Sequence, residues 1–149
     1  MNRLYVRGLG LLGQYGIPRA IKGSKTFIQI NKFTEEPITQ IAAGYFGNAC
    51  ATSKGKVYYW GWQFCPISGF RLLMIYNEGS LISRIINTLY YGKNMIATPK
   101  LINDFKEPIL KLSLGNAYVM VLTNIGNLFG FGSNDSVSFK EVIVGSVGR

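Results

Sequence analysis

Histidine is absent from this 149-residue sequence, cysteine occurs twice, proline five times, and only seven residues are acidic. Without histidine the chain cannot assemble an imidazole-activated nucleophile or a histidine-ligated zinc centre. A triad would need a lysine or carboxylate base, and no G-x-S-x-G elbow offers a serine to pair with one. The acidic residues Glu35, Glu36, Glu78, Asp104, Glu107, Asp135 and Glu141 mostly sit beside Pro, Gly or Lys or in apparent turns. Asp104 and Glu107 flank a loop rather than form an acid/base pair, so no catalytic residue is assigned and the chain is expected not to be an enzyme. Cys50 and Cys65 are too far apart for a C-x-x-C pair and lack partners for a metal shell, so neither a metal nor a cofactor is expected. Two thiols make no disulfide framework, which points to an intracellular protein. No apolar stretch reaches the roughly eighteen uninterrupted residues of a membrane-crossing helix.

What is present is glycine, aromatic residues and positive charge. Eighteen glycines, nine tyrosines and nine phenylalanines within a 48% hydrophobic composition predict many short strands joined by tight turns, an all-β class. Sixteen Lys and Arg give a formal charge of +9 and favour an acidic partner: nucleic acid, an anionic membrane or an acidic protein. No run of five like charges occurs, so a merely solvated basic surface stays open beside these. Arg3, Arg7, Arg19, Lys22, Lys25 and Lys32 crowd the N-terminal quarter with Tyr5, Tyr15 and Phe27 between them. Arg3, Arg7, Arg19, Lys22, Lys25 and Arg84 are the candidate partner-binding residues, with RNA or DNA contact as one reading. A basic start without acidic residues is also the composition of a mitochondrial targeting segment, but the repeat described next claims that stretch as folded chain.

The sequence repeats itself. Pro37-Ile38-Thr39-Gln40-Ile41-Ala42-Ala43-Gly44 matches Pro108-Ile109-Leu110-Lys111-Leu112-Ser113-Leu114-Gly115 without a gap, 71 positions apart. The same offset carries Ala51 to Gly61 onto Leu122 to Gly132. Each copy reads as an alternating strand (Thr39, Ile41, Ala43; Leu110, Leu112, Leu114), a turn at glycine, then two strands joined by a hairpin. Gly55 and Gly126 fall where a short hairpin loop needs positive φ, and Gly61 and Gly132 end the strand that follows. A half copy opens the chain, because Leu4-Tyr5-Val6-Arg7-Gly8 aligns with Val57-Tyr58-Tyr59-Trp60-Gly61.

Gly115 to Val121-Leu122-Thr123, the turn Gly126, Val57-Tyr58-Tyr59-Trp60-Gly61, and Gly8-Leu9-Gly10-Leu11-Leu12-Gly13-Gln14-Tyr15-Gly16 together resemble the repeat of the regulator of chromosome condensation family. The resemblance covers roughly 2–62 and 98–135, with repeats at roughly 2–16, 37–62 and 108–135 in one domain over 1–149. Gly8, Gly10, Gly13, Gly16, Gly44, Gly55, Gly61, Gly115, Gly126 and Gly132 are its structural glycines. It departs from the family pattern where Gly47 and Tyr118 stand in place of a histidine, where Arg7 replaces an aromatic, and where the Gly-Gln-Leu-Gly ending is missing from the later repeats. The family implies a β-propeller, here a partial one of about two and a half antiparallel blades. Its members include a guanine-nucleotide exchange factor of a small nuclear GTPase that sits on chromatin, and others that act in mitochondria, so the compartment is left between these.

Two further features bear on this. The stretch 63–98 is an insertion, within which Ser80 caps a helix predicted over 81–91, with Leu81, Ile85 and Leu89 on one face and Gly92 as its stop. Gly8 to Gly13 also matches the dinucleotide-binding pattern G-x-G-x-x-G, but that loop must open a helix whose N–H groups meet a pyrophosphate. Gly16 and Pro18 break any helix there, and no acidic residue follows at the end of a second strand. A propeller closes with about 4–8 blades, so two and a half are expected to be a fragment or a small subunit whose edges further blades, partner chains or other copies cover. A non-catalytic scaffold or interaction module is the expected function, with regulation of a small GTPase as the alternative.

Overall fold

The computed structural model describes residues 3–10, 12–18, 23–33, 35–62, 95–115 and 118–132, and the backbone of 140–146. The helix predicted over 81–91 lies outside these residues, and among those described there is no α-helix. The chain is all-β and antiparallel. Strands β1 (Leu4–Leu9) and β2 (Gly23–Ile30) form a two-stranded sheet, followed by a single 3-10 turn at Asn31–Phe33. Strands β3 (Ile38–Ala43), β4 (Gly47–Thr52), β5 (Lys56–Trp62) and β6 (Met95–Asp104) form a four-stranded sheet in chain order. Strands β7 (Ile109–Leu114), β8 (Tyr118–Thr123), β9 (Asn127–Gly132) and β10 (Lys140–Ser146) repeat that order. The result is a partial β-propeller: an outer half-blade followed by two whole blades.

The repeat appears as hydrogen bonds as well as letters. Gly44 N–H donates to the Gly47 carbonyl and Gly115 N–H to the Tyr118 carbonyl, both at 2.8 Å. Ser53 N–H donates to Pro37 O at 2.8 Å, and Asn124 N–H to Pro108 O at 3.0 Å, closing each β-hairpin at its open end. The β4–β5 and β8–β9 turns hold Gly55 at φ 81° and Gly126 at φ 91°, as their positions in the sequence predict. Gly55 is doubly constrained, since a Cβ there would run into the backbone oxygen of Glu107. Its carbonyl accepts from Phe105 N–H at 3.1 Å, so the turn of one blade is fastened to the linker that enters the next.

The blades stack through their faces. Ala49, Ala51, Val57 and Tyr59 of the first whole blade pack with Ile109, Leu112, Val119, Val121 and Phe131 of the second. The opposite face, with Cys50 and Trp60, packs with Ile30 and Phe33 and with the partly buried Leu4 and Val6 of the half-blade. Phe33 meets Tyr58 edge-to-face, ring centroids 5.1 Å apart. A smaller cluster of Leu12, Phe46 and Trp62 closes one end.

Two sequence expectations need correction. The inward face of the inner strands is not Thr39, Ile41, Ala43 and Leu110, Leu112, Leu114 throughout. In β3 the alternation holds, but Thr39, Ile41 and Ala43 form its exposed side; in β7 a register shift between Ile109 and Lys111 breaks it, so Ile109 and Leu112 are buried while Leu110 and Lys111 are exposed. A bulge of this kind changes sides within one strand, which a period of two cannot anticipate. The second correction is the fourth strand: β6 begins at Met95, inside the stretch read as an insertion. Pro99 and Lys100 disguise it, yet proline is tolerated there because β6 is an edge strand that needs no second ladder.

Replacing Gly55 by alanine forces both a positive φ and a clash with Glu107, and is expected to cost about 2 kcal/mol or more of stability. Lys54→Ala in the same turn serves as the control, because that side chain is exposed. Thermal unfolding of the two variants checks the assignment, and equal midpoints would remove the turn–linker lock. Gly126→Val is expected to destabilise as well, since a β-branched residue resists φ 91°.

Candidate functional site

The glycine-rich segment after β1 has a structural role that its dinucleotide-like spelling hides. Gly13 at φ 81° and Gly16 at φ 65° fold Leu12–Gly16 into a compact turn, with Gly16 N–H donating to Gly13 O at 3.1 Å. The Gln14 side chain accepts from Leu12 N–H at 2.7 Å. The Gln14 carbonyl accepts from Asn48 Nδ2 at 2.8 Å and from Trp60 Nε1 at 2.9 Å. The Tyr15 hydroxyl donates to the Gly8 carbonyl, and among the described residues the next regular element is strand β2. The loop therefore ties the half-blade to the first whole blade. A side chain at Gly16 would press on Trp60 and Ile30, and one at Gly13 on Met95 and Ile96.

Beside this loop, between β1 and β3, lies a cavity of about 600 Å³. Leu4, Val6, Leu12, Ile41, Tyr45 and Trp60 line it. Gly44 and Gly115 mark the inner turns nearby, and a Cβ on Gly44 would meet the Leu114 side chain at 2.9 Å, so small residues let the inner strands approach.

The predicted basic residues do not converge there. Arg7 lies in the cavity wall with its guanidinium 5.8 Å from the ring centre of Phe27, a cation–π contact on the exposed face of the half-blade. Lys25 is exposed on the same two-stranded sheet, and Arg3 is exposed just before β1. Lys32 is structural: its ammonium donates to Pro99 O at 2.6 Å and sits 5.6 Å from the Tyr58 ring centre. Arg19, Lys22 and Arg84 lie outside the described residues.

The ionic groups that the sequence reading set aside gather at the turn end of the first whole blade. Lys56 Nζ donates to Glu36 Oε1 at 2.5 Å, Lys54 approaches the same oxygen at 3.8 Å, and Lys106 pairs with Asp104 at 2.5 Å. The hydrogen bond from Lys56 holds the Glu36 carboxyl below the usual carboxylate range, and that from Lys106 does the same for Asp104. The repeat does not preserve this device, since Ile125 and Asn127 replace the two lysines beside Glu107. Cys50, fully buried between blades, has its thiol pushed up to about 12 by desolvation and is a packing residue. Among the described residues no group of His, Cys, Asp or Glu has the geometry of a metal site, and no helix is long and apolar enough to cross a membrane.

The geometry matches known propellers. Human WBSCR16 superposes with a TM-score of 0.63 at 14% identity, over 94% of this chain and 33% of that one. Prp20p of Saccharomyces cerevisiae, described with its binding to Gsp1p and histones, gives 0.63 at 15% identity over 99% of this chain and 34% of its own. Yeast RCC1 (Prp20) bound to Kap60 gives 0.59 at 16% identity over 88% and 28%. The chain thus has an RCC1-like fold and spans about a third of the length of these structures. No protein-family profile matches it, and no curated protein does.

Because Glu36 is held below its ordinary value of 4.5, its ion pair adds stability above that pH and loses it as pH falls through the lower, folded-state value. Glu36→Gln is expected to lower the thermal midpoint at neutral pH and to flatten the decline on acidification below 4.5. Unfolding curves from pH 7 to pH 3 check this, and a variant whose acid profile parallels the parent's would refute it.

Proposed function

We propose that the chain is a non-catalytic protein-interaction module, a portion of a regulator-of-chromosome-condensation-type propeller that works inside a larger assembly. One observation carries this reading: both ends of the blade stack present faces built to be covered. In the first whole blade Ala49, Ala51 and Val57 are buried by the blade that follows. Their repeat equivalents Met120, Leu122 and Leu128 are only half-buried. At the other end Tyr5, Leu9 and Phe27 are exposed on the half-blade. Apolar surface of this kind favours burial at about 25 cal/mol per Å², which a solvated end does not recover.

A second reading, regulation of a small GTPase, draws on the likeness to Prp20p, whose structure was described with Gsp1p. In that case the protein uses the propeller as a binding platform and accelerates nucleotide release from the GTPase. A fluorescent-nucleotide release assay separates the two, since an interaction module leaves the release rate unchanged.

Native mass measurement of the protein from its own source is expected to find it in a complex with co-purifying polypeptides. A stable free monomer of this chain would overturn the proposal.

A further inference from the structure

Where the half-blade meets the first whole blade, a crevice of about 220 Å³ lies between the middle of β6 and the end of β2 with the 3-10 turn that follows it. Ile17, Pro18, Ile30 and Pro99 make its apolar walls. Gln29, Asn31, Lys32 and Thr98 supply its polar groups, and no acidic residue lines it. A bulge shapes the β6 side. Tyr59 pairs with Lys100 and Gly61 with Ile96, so Trp60 alone stands opposite Ala97, Thr98 and Pro99. Bulges re-aim groups in this way and recur beside functional sites.

Lys32 is a fixed cation without a counter-ion. Its ammonium donates to the Pro99 carbonyl at 2.6 Å and lies 5.6 Å from the Tyr58 ring centre, and both of these partners are neutral. Lys54, Lys56 and Lys106 each approach a carboxylate, whereas among the described residues none pairs with Lys32. An ammonium has three N–H donors, so two remain for a ligand. The side chains of Gln29, Asn31 and Thr98 also make no hydrogen bond among the described residues.

We propose that this crevice binds the C-terminal residue of a partner polypeptide, with its free carboxylate on Lys32 and its side chain between Pro18 and Pro99. This rests on the reading of the chain as an interaction module. Sites that enclose a whole small molecule measure roughly 300–1,000 Å³, so the smaller crevice suits the end of a chain whose remainder stays outside. One ammonium beside apolar walls matches a terminal residue, in which the carboxylate and the side chain leave the same carbon. An internal aspartate or glutamate fits less well, because the side chain that carries its charge cannot also fill the apolar walls. The amides of Gln29 and Asn31 and the Thr98 hydroxyl are the groups that would meet the last peptide units. A charge-assisted bond to a cation already held in place loses little to ordering, and capture of a terminal carboxylate is a recognised mode of peptide binding.

The test uses the full chain, together with any polypeptides that it carries, and the acetylated peptide Gly-Ser-Gly-Ala-Val with a free C-terminus. At about 5 mM peptide, amide exchange across Gln29–Lys32 and Met95–Lys100 is expected to slow by at least about tenfold. The same peptide ending in an amide is expected to bind at least about tenfold more weakly. So is Gly-Ser-Glu-Ala-Val ending in an amide, which offers its carboxylate on an internal side chain. Lys32→Gln is expected to weaken binding by at least about tenfold and Lys32→Arg to restore most of it. Thr98→Val, at an exposed position of an edge strand, is expected to weaken it about threefold with the thermal midpoint unchanged. Lys54→Gln removes an equal charge at the turn end of the blade and is expected to leave binding unchanged.

Unchanged exchange in the crevice, equal binding of the peptide amide, or indifference to both Lys32→Gln and Thr98→Val would each overturn the proposal. If Lys32→Gln fails to fold, Thr98→Val decides alone. Equal binding of the internal glutamate peptide would assign the crevice to acidic side chains and overturn the terminal reading. An equal loss in Lys54→Gln would reduce the effect to general attraction by a basic surface. A native complex whose crevice amides ignore the free-acid peptide would leave the interaction-module reading standing and remove this site. A protein that is monomeric at its source yet binds the peptide through Lys32 would do the reverse.

Discussion

Face-to-face stacking of twisted sheets is the constraint on which the rest of this molecule depends. A blade with one apolar face can stand against water on the other, but the sheet β3–β6 is apolar on both. Cys50 and Trp60 are buried on one side, and Ala49, Ala51, Val57 and Tyr59 on the other. Such a sheet is stable only between two neighbours. The half-blade and the β7–β10 sheet exist, in energetic terms, to cover it, and each then presents an uncovered face of its own.

Close approach of the sheets places strict demands on the connections. The linker into the second whole blade passes the turn of the first, which is why Gly55 has no room for a side chain beside Glu107. The loop Leu12–Gly16 solves the same problem at the other end by using a backbone carbonyl, that of Gln14, to satisfy both Asn48 and the Trp60 indole. Buried polar groups on a blade face would otherwise be left without partners at a cost of about 1–3 kcal/mol each. Glycine spacing that spells a nucleotide loop is here the spelling of a blade clamp.

The repeats are equal in backbone and unequal in surroundings, and that inequality is where function is to be sought. Ile41 and Leu112 occupy one position in the repeat and have opposite exposure. Glu36 has two lysines near it, while Glu107 has Ile125 and Asn127 at the matching positions. Arg7 stands where Trp60 stands one blade later, exchanging a packed indole for a cation over the exposed Phe27 ring. Two of these departures, Ile41 and Arg7, border the cavity beside β1, where among the described residues no inner hairpin completes the half-blade.

Period and spacing alone were enough to establish an all-β chain, the 71-residue repeat, the opening half copy, and the positive-φ turns at Gly55 and Gly126, because these follow from local backbone requirements that each residue carries with it. The fourth strand of the blade escaped notice, since an edge strand tolerates Pro99 and its charged neighbour without any periodic signature. The side taken by Ile41, Leu110 and Leu112 was equally hidden, because a period of two does not say which side meets a neighbour and the bulge in β7 depends on its pairing with β8. The cavity beside β1 was beyond reach of any local pattern. Burial is a property of neighbours, and only the folded stack decides which face of which blade has one.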